Sequence, residues 1–243
     1  MALESHSLVV ITGASSGIGA ATARAFSKLG HPLLLLARRA DRLQALDLPK
    51  TMIAAVDVTE RDKFRNAVLA AEREYGPTDC LVNNAGVMLL GQLDTQSPDE
   101  WQKMLDVNVM GVLNGIQSVL PGMKARKGGT IINISSIAGR KTFANHAAYC
   151  GTKFAVHALT ENVREEAAAS NVRFVTIAPG AVETELLSHT TSAEIKDGYE
   201  SWKDSMGGAL QAEDIARAIL YAYNQPQGVC VREIVLAATK QGP

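Results

Sequence analysis

The sequence predicts an α/β fold in which seven parallel strands form one doubly wound sheet with helices on both faces. Seven short apolar runs alternate along the chain with longer segments of helical periodicity. The runs are continuously apolar, as in parallel strands that are buried on both faces. Because strands and helices alternate, right-handed crossovers place the helices on the two sides of the sheet.

The predicted strands are spread over the whole chain. They cover residues 8–11, 33–36, 52–56, 80–82, 130–134, 172–178 and 233–236. Between the first two strands, apolar residues recur at helical spacing from Ile18 to Leu29, and a charged helical stretch covers about 60–75. This order of elements is typical of a parallel sheet with helical crossovers.

Two later helices carry boundary signals. Ser97 and Glu100 have the spacing of a capping box, with Pro98 at the first helical position. They predict a helix that runs to about Met123. A last helical pattern ends before Pro226, a residue that cannot continue a helix.

The composition is that of an ordinary globular protein of 243 residues, with 47% apolar and 20% charged residues. It excludes a disordered chain, a collagen and a coiled coil. The net charge of −1 gives no sign of binding to nucleic acid or to a membrane surface. No linker or composition shift divides the chain, so we expect residues 1–243 to form a single domain.

Cysteine usage and the N-terminal segment predict a cytoplasmic protein. Cys80, Cys150 and Cys230 lie far apart with no CxxC motif, which indicates free thiols in a reducing compartment. Residues 1–7 are polar where a signal peptide would be apolar. The five histidines show no metal-ligand spacing, so no metal is predicted. The expected partner is a small molecule.

A glycine-rich loop follows the first strand and precedes the first helix. Gly13, Gly17 and Gly19 give the spacing GxxxGxG, which departs from the GxGxxG of many dinucleotide-binding loops. Glycines allow a tight turn and a close approach of the backbone to a pyrophosphate, and the helix N-terminus favours the anion. An ordinary strand-to-helix turn is the alternative interpretation.

This spacing resembles that of the short-chain dehydrogenase/reductase family, and the other family motifs follow in order. The resemblance covers essentially residues 8–237 and identifies the chain with the family's Rossmann-type fold. The matching motifs are Asn83-Asn84-Ala85-Gly86, Asn108, Ser136, Tyr149-Cys150-Gly151-Thr152-Lys153, Pro179-Gly180 and Thr184. Each motif is short, but their joint order and spacing are highly specific, including the thirteen residues from Ser136 to Tyr149.

The resemblance implies a nicotinamide dinucleotide cofactor. Its contacts would come from the glycine-rich loop and from the carboxyl ends of the strands. The implied cofactor residues are Gly13, Ser15, Ser16, Gly17, Ile18, Gly19, Arg38, Arg39, Asp57, Val58, Asn84, Ala85, Gly86, Tyr149, Lys153, Pro179, Gly180, Val182 and Thr184. For Asp57 the alternative is an aspartate that caps or turns the chain before the next helix.

The end of the second strand favours NADP over NAD. NAD-specific folds carry an acidic residue there, on the ribose hydroxyls. This chain has Arg38 and Arg39 instead, and a guanidinium suits a phosphate. In NADP-preferring family members the residue at Arg38 holds the 2′-phosphate. The alternative is that both arginines are solvated charges, and Ser15 and Ser16 stand where some relatives have a basic residue.

Tyr149 and Lys153 are the predicted proton-transfer pair. Hydride reduction of a carbonyl places charge on oxygen, so an acid must supply a proton. A free tyrosine has a pKa near 10, and a lysine one helical turn away would lower it. Alone, such a pair would be an amphipathic surface pair, but Ser136 and Asn108 fall in register with it.

The resemblance implies a role for each of these four residues. Tyr149 is the general acid/base, and Lys153 holds the nicotinamide ribose and lowers the tyrosine pKa. Ser136 binds the substrate oxygen, and Asn108 supports a water in a proton relay. Neighbouring Ser135 points to the opposite face of the strand and is not assigned a role.

The insert at about 185–208 is expected to cover the substrate. The predicted pocket residues are Met88, Arg140, Phe143, His146 and Leu187, with Leu89, His189, Tyr199, Trp202 and Met206 nearby. This mixture fits a small or medium carbonyl compound, with an acid group near Arg140. The resemblance also implies a homotetramer or dimer, formed through helices at about 98–123 and 150–168.

The predicted function is an NADP-dependent carbonyl reductase or alcohol dehydrogenase. A non-catalytic nucleotide-sensing protein on the same fold is one alternative, although such relatives usually lose the tyrosine or the lysine. An epimerase or dehydratase of the extended family is another, but those chains are usually longer and have different glycine spacing.

Overall fold

Seven parallel strands form one sheet, as predicted, in the computed structural model, which describes residues 7–242. The strands are β1 (Leu8–Thr12), β2 (Leu33–Ala37), β3 (Thr51–Ala55), β4 (Thr78–Asn83), β5 (Thr130–Ile134), β6 (Arg173–Pro179) and β7 (Glu233–Leu236). Their order in the sheet is β3-β2-β1-β4-β5-β6-β7. Residues 1–6, which carry most of the segment that argues against a signal peptide, and residue 243 lie outside the described residues.

Eight α-helices connect the strands of the described chain. They are α1 (Gly17–Lys28), α2 (Ala40–Gln44), α3 (Arg61–Tyr75), α4 (Pro98–Leu105), α5 (Gly111–Arg126), α6 (Ala147–Ala167), α7 (Ala193–Ser205) and α8 (Ala212–Tyr223). None of the helices within residues 7–242 is long and apolar enough to cross a membrane.

The continuous apolar runs supply two cores, one on each face of the sheet. Successive strand residues point to opposite faces, so Leu8 and Val10 pack with α3, α5 and α6. Val9 and Ile11 pack with α1, α2 and α8 on the other face. All five residues of β1 and of β2 are buried, which explains why these strands show no polar alternation.

The predicted helix from Ser97 to Met123 is interrupted in the structure. A π-helical turn, Asp106–Met110, separates α4 from α5. Ser97 caps α4 as predicted, because its side chain accepts a hydrogen bond from the Asp99 N–H. The Glu100 carboxylate accepts from Gln96 instead of completing the capping box. Single π-turns are frequent at functional sites.

The strand order places a switch point between β1 and β4. From β1 the chain proceeds outward to β3, and then crosses back to build the sheet in the other direction from β4 to β7. The loops that follow β1 and β4 therefore diverge and leave a crevice at the carboxyl edge of the sheet. In open α/β sheets this crevice is where ligands bind.

Candidate active site

A cavity of about 1060 Å³ opens at the carboxyl edge of the sheet. It brings together most of the residues that the sequence analysis singled out. The predicted residues that line it are Gly13, Ser15, Ser16, Gly17, Ile18, Arg38, Arg39, Asp57, Val58, Asn84, Ala85, Gly86, Met88, Ser136, Phe143, His146, Tyr149, Lys153, Pro179, Gly180, Val182, Thr184 and Leu187. Gly19, Asn108 and Arg140 do not line it.

The glycine-rich loop packs too closely for side chains. Gly13 has a φ of +64°, and a Cβ there would lie 2.8 Å from the Ala85 Cα. Gly19 lies beneath the loop, where a Cβ would approach the Gly13 carbonyl oxygen to 2.3 Å. Gly19 therefore shapes the loop from below, whereas Gly13 and Gly17 form the wall of the cavity.

Thr12 holds this loop against the segment that follows β4. Its Oγ1 accepts hydrogen bonds from the backbone N–H groups of Asn84 and Ala85, both at 3.0 Å. The Asn84 side-chain amide donates back to the carbonyl oxygens of Thr12 and Gly13, at 2.9 and 3.2 Å. The neighbouring Asn83 is buried and donates to Asn133, so it supports the strands rather than the cavity.

The N-terminus of α1 is available to an anion. Ser16 is the N-cap residue, but its side chain makes no capping hydrogen bond, and the first turn carries no acidic residue. Free N–H groups at a helix N-terminus are a ready anion site. Together with the close packing at Gly13, this arrangement fits a dinucleotide pyrophosphate.

Arg38 and Arg39 both line the cavity at the end of β2. Arg39 donates to the hydroxyls of Ser15 and Ser16, at 3.1 and 3.0 Å, so it joins the glycine-rich loop to the strand end. It also forms an ion pair of 2.9 Å with Glu185. Arg39 is therefore an engaged residue rather than a freely solvated charge.

Asp57 performs the turn role that the sequence left open. Its Oδ1 accepts from the backbone N–H and the hydroxyl of Thr59, at 3.0 and 2.8 Å. It lines the cavity as well, and so does Val58. The turn leaves room for a cofactor contact, so the two interpretations of Asp57 are compatible.

Ser136, Tyr149 and Lys153 meet at the centre of the cavity wall. The Ser136 hydroxyl donates to the Pro179 carbonyl oxygen at 3.3 Å and accepts from the Ala138 N–H at 3.1 Å. Lys153 Nζ lies 5.7 Å from the centroid of the Tyr149 ring and donates to the Ile134 carbonyl oxygen at 3.0 Å. Because Tyr149 and Lys153 are one turn apart on α6, both point to this wall.

The pKa of Tyr149 differs from the sequence expectation. Burial raises the pKa of Tyr149 well above its ordinary value, the nearby Tyr199 raises it further, and the neighbouring Ser136 hydroxyl lowers it. Burial also lowers the pKa of Lys153 to about 8. In the protein alone, burial therefore outweighs the expected lowering of the tyrosine pKa by the lysine.

Asn108 lies at the middle of the π-helical turn and is buried. Its Oδ1 accepts from the Val87 N–H at 2.8 Å, and its Nδ2 donates to the Val87 carbonyl oxygen at 2.9 Å and to Thr152 at 3.1 Å. Its side chain thus joins the segment after β4 to α6 next to Lys153. The expected water relay stays a prediction.

Apolar and aromatic side chains cover the substrate side of the cavity. Met88, Phe143, His146 and Leu187 line it as expected. Tyr199, Trp202 and His189 from the insert line it too, whereas Leu89 and Met206 are buried outside the lining. Burial lowers the pKa of both His146 and His189, which favours neutral imidazoles on this side.

The structure does not bring Arg140 into the cavity. Its guanidinium forms an ion pair of 2.6 Å with Glu233 on β7. Glu233 also accepts from His157 Nε2 at 3.0 Å, and His157 Nδ1 lies 2.9 Å from the hydroxyl of Ser135. Arg140 is therefore engaged by Glu233 and belongs to a network that reaches the cavity wall only through Ser135.

Among the cavity residues that the sequence analysis did not predict are Glu185 and Gln241. Glu185 lines the cavity and accepts a hydrogen bond from Arg39, which is far away in the chain. Gln241 reaches it from the C-terminal segment, where its Oε1 accepts from the Ala181 N–H at 3.1 Å. Neither residue belongs to a local motif, so only a pattern across distant segments could have revealed them.

Comparisons with known proteins agree with this geometry. A family model described as short chain dehydrogenase matches residues 7–195. An uncharacterised oxidoreductase of Staphylococcus saprophyticus is 43% identical over 241 residues, which cover 96% of each chain. The closed form of a serine dehydrogenase complexed with NADP+ superimposes with a TM-score of 0.91 at 30% identity, over 97% of this chain and 96% of that one. An alcohol dehydrogenase of the archaeon Thermococcus sibiricus, complexed with 5-hydroxy-NADP, gives a TM-score of 0.85 at 27% identity, over 98% of this chain and 99% of that one.

Proposed function

The chain belongs to the short-chain dehydrogenase/reductase family of oxidoreductases, and we propose that it uses NADP(H) to interconvert a small or medium carbonyl compound and its alcohol. The observation that carries this proposal is that Ser136, Tyr149 and Lys153 line the same cavity as the glycine-rich loop. Proton transfer and dinucleotide binding would thus take place in one cavity.

Tyr149 acts as the acid when the carbonyl is reduced. A raised pKa keeps the phenol protonated at neutral pH, which is the state that can donate. The Ser136 hydroxyl, which lines the same cavity as Tyr149, stabilises the charge that develops on the substrate oxygen. A bound nicotinamide supplies the hydride for this chemistry.

Lys153 restores the proton of Tyr149. With a pKa of about 8, its amine exchanges a proton near neutral pH more readily than an ordinary lysine does. Its contact with the Ile134 carbonyl oxygen fixes Nζ on the side of the Tyr149 ring. When protonated, the ammonium also favours the phenolate that forms during the reaction.

The case for NADP rests on Arg38 and Arg39. Both guanidinium groups lie at the end of β2, where an NAD-specific fold would carry a carboxylate. Structural relatives with NADP+ and 5-hydroxy-NADP bound support the same choice. The sequence alternative of a non-catalytic nucleotide sensor loses its support, because Tyr149 and Lys153 are both present and buried at the cavity.

We also propose a homo-oligomer that forms through α4, α5 and α6. Leu105, Met110 and Phe154 are exposed on or beside these helices, with 46%, 49% and 43% of their surface accessible. Light scattering at micromolar protein tests the assembly, and a monomer mass would refute it.

We further propose a cytoplasmic location, which the free thiols of Cys80, Cys150 and Cys230 support.

A panel of carbonyl compounds and alcohols, assayed by NADPH and NADH absorbance, tests the activity. Aldehydes and ketones with apolar or aromatic groups are the expected substrates, because Phe143, Tyr199 and Trp202 line the pocket. Turnover with NADPH in the wild type, and its loss in a Tyr149 variant, would support the proposal. Turnover of comparable rate with NADH would overturn the cofactor assignment.

A further inference from the structure

The carboxylate of Glu185 lies between two arginines at the end of the cofactor cavity. Its Oε2 accepts from Arg39 at 2.9 Å, and its Oε1 accepts from Arg42 of α2 at 2.5 Å. Arg39 also donates to the hydroxyls of Ser15 and Ser16. Glu185 is thus surrounded by two guanidinium groups and, through Arg39, by two hydroxyl groups. Such donors are typical of an anion-binding site.

The anion bound by Arg39 and Arg42 is the carboxylate of Glu185 itself. The hydrogen bonds from Arg42 and Arg39 lower the pKa of Glu185 to about 2, so the carboxylate is ionised at neutral pH. Guanidinium groups bind carboxylates and phosphates through the same forked donors. A phosphate that binds Arg39 therefore competes with the Glu185 carboxylate for the same guanidinium donors.

Glu185 also begins the segment that lies over the substrate side. It directly follows Thr184 and opens a 3₁₀ turn, Glu185–His189, which carries Leu187 and His189 of the cavity lining. Arg39 is the N-cap residue of α2, and Arg42 lies in the last turn of that helix. The ion pairs therefore join the substrate-covering segment to Arg39, an expected cofactor residue, and to its neighbour Arg42.

We propose that Glu185 is a specificity-determining residue, whose carboxylate occupies Arg39 and Arg42 until a cofactor 2′-phosphate displaces it and releases the segment Glu185–His189. The inference rests on the proposed NADP-dependent function. NAD has no 2′-phosphate, so it leaves the ion pairs of Glu185 in place. NADP would thus set the position of the substrate-covering segment, whereas NAD would not.

The size of the effect follows from the exposure of the groups. The side chains of Arg39, Arg42 and Glu185 are 42%, 44% and 45% exposed, so water screens each ion pair. Exposed pairs are weak individually, and two of them together correspond to about a 3- to 10-fold change in affinity. Glu185 therefore reduces the affinity for a 2′-phosphate without abolishing it.

The test compares two nucleotides that differ only in the 2′-phosphate, 2′,5′-ADP and 5′-AMP. Their dissociation constants are measured by calorimetry on the wild type, Glu185→Gln and Glu194→Gln. Glu194 is the matched control, because it is an exposed acidic residue of the same cavity that forms no ion pair with Arg39 or Arg42 among the described contacts. Both variants remove one negative charge at an exposed position.

We expect Glu185→Gln to bind 2′,5′-ADP about 3- to 10-fold more tightly and 5′-AMP unchanged. The control is expected to affect both nucleotides equally. Equal changes for both nucleotides in Glu185→Gln, or an unchanged affinity for 2′,5′-ADP, would overturn the role of Glu185. A wild type that binds both nucleotides equally would instead overturn the proposed preference for NADP.

Hydrogen exchange provides the second readout, and it needs no substrate. In the wild type, 2′,5′-ADP is expected to speed exchange of amides in Glu185–His189, and 5′-AMP is expected to leave it unchanged. In Glu185→Gln the segment should exchange fast without any nucleotide, because its anchor is gone. Slower exchange with 2′,5′-ADP would show that the phosphate does not displace Glu185, and would refute the release of the segment.

Discussion

Lys153 Nζ lies 5.7 Å from the centroid of the Tyr149 ring, and both side chains are buried in the wall of the cavity. Burial disfavours the charged form of each, so it raises the pKa of Tyr149 and lowers that of Lys153. At pH 7 the Tyr149 phenol is therefore neutral, whereas Lys153, with a pKa of about 8, is still mostly protonated but gives up its proton more easily than an ordinary lysine. This property makes the pair testable without a known substrate.

The first prediction is that Lys153→Met gains stability over the wild type at neutral pH. The pKa of Lys153 is about 8 in the folded protein against 10.5 for an ordinary lysine. The unfolded chain thus binds more protons between these values, and wild-type stability rises with pH there. The advantage of Lys153→Met, up to about 3 kcal/mol at pH 7, should fall to about 1 kcal/mol near pH 10 and vanish above about pH 11.

Chemical denaturation at several pH values measures this difference. Lys28→Met is the matched control, because Lys28 is exposed at the end of α1. Its difference from the wild type is expected to stay constant over the same interval. A constant difference for Lys153→Met would show that the folded protein does not hold this lysine at a lowered pKa.

The second prediction is that Tyr149→Phe loses turnover but retains the cofactor. The phenyl ring keeps the packing of the cavity wall and removes only the proton donor, which contributes roughly 10²–10⁴ in rate. Single-turnover rates and NADPH fluorescence titration, with any substrate from the carbonyl panel, separate the two effects. A variant that retains more than half of the activity would refute the role of Tyr149.

The third prediction is that Arg38→Ala weakens NADP binding by about 10- to 100-fold, since hydrogen bonds to charged groups contribute roughly 1.5–3 kcal/mol. NAD binding should hardly change, because it lacks the phosphate. Adding Ala37→Asp should shift the preference towards NAD, since the carboxylate would accept from the ribose hydroxyls. The assay is kcat/KM with each cofactor, and equal weakening of both by Arg38→Ala would exclude a phosphate contact.

The fourth prediction concerns the network that engages Arg140. His157 of α6 joins Glu233 to Ser135: its Nε2 lies 3.0 Å from the Glu233 carboxylate and its Nδ1 2.9 Å from the Ser135 hydroxyl. His157→Leu and Glu233→Gln should each destabilise the fold, and their double variant should lose less than the sum. We expect a coupling energy of about 0.5–3 kcal/mol from a double-mutant cycle in urea. Strict additivity would show that the two side chains do not interact in solution.

Local patterns predicted the strands of this protein closely. The runs at 33–36 and 130–134 became β2 and β5, because a strand buried on both faces must be apolar at every position. The glycine-rich loop was equally predictable from its glycine spacing, since there is no room for a side chain at Gly13 or Gly19. These features depend on residues that are near each other in the chain.

The same patterns could not predict partners that meet across the sheet. The expected substrate contact of Arg140 is an ion pair with Glu233, 93 residues away in the chain. Arg39 meets Glu185 across 146 residues, so the two arginines at the end of β2 looked free in the sequence. In both ion pairs, the sequence around one residue contains no information on where its distant partner lies.

The sequence by itself determined the order of strands and helices, the glycine-rich loop and the spacing of Tyr149 and Lys153. These follow from the hydrophobic period and from backbone geometry, which neighbouring residues set. Only the tertiary structure decided the π-helical turn at Asn108, the anion held by Arg39, and the direction of the Tyr149 pKa. Those depend on burial and on distances between remote segments, because charges and hydrogen-bond donors respond to whatever surrounds them in space.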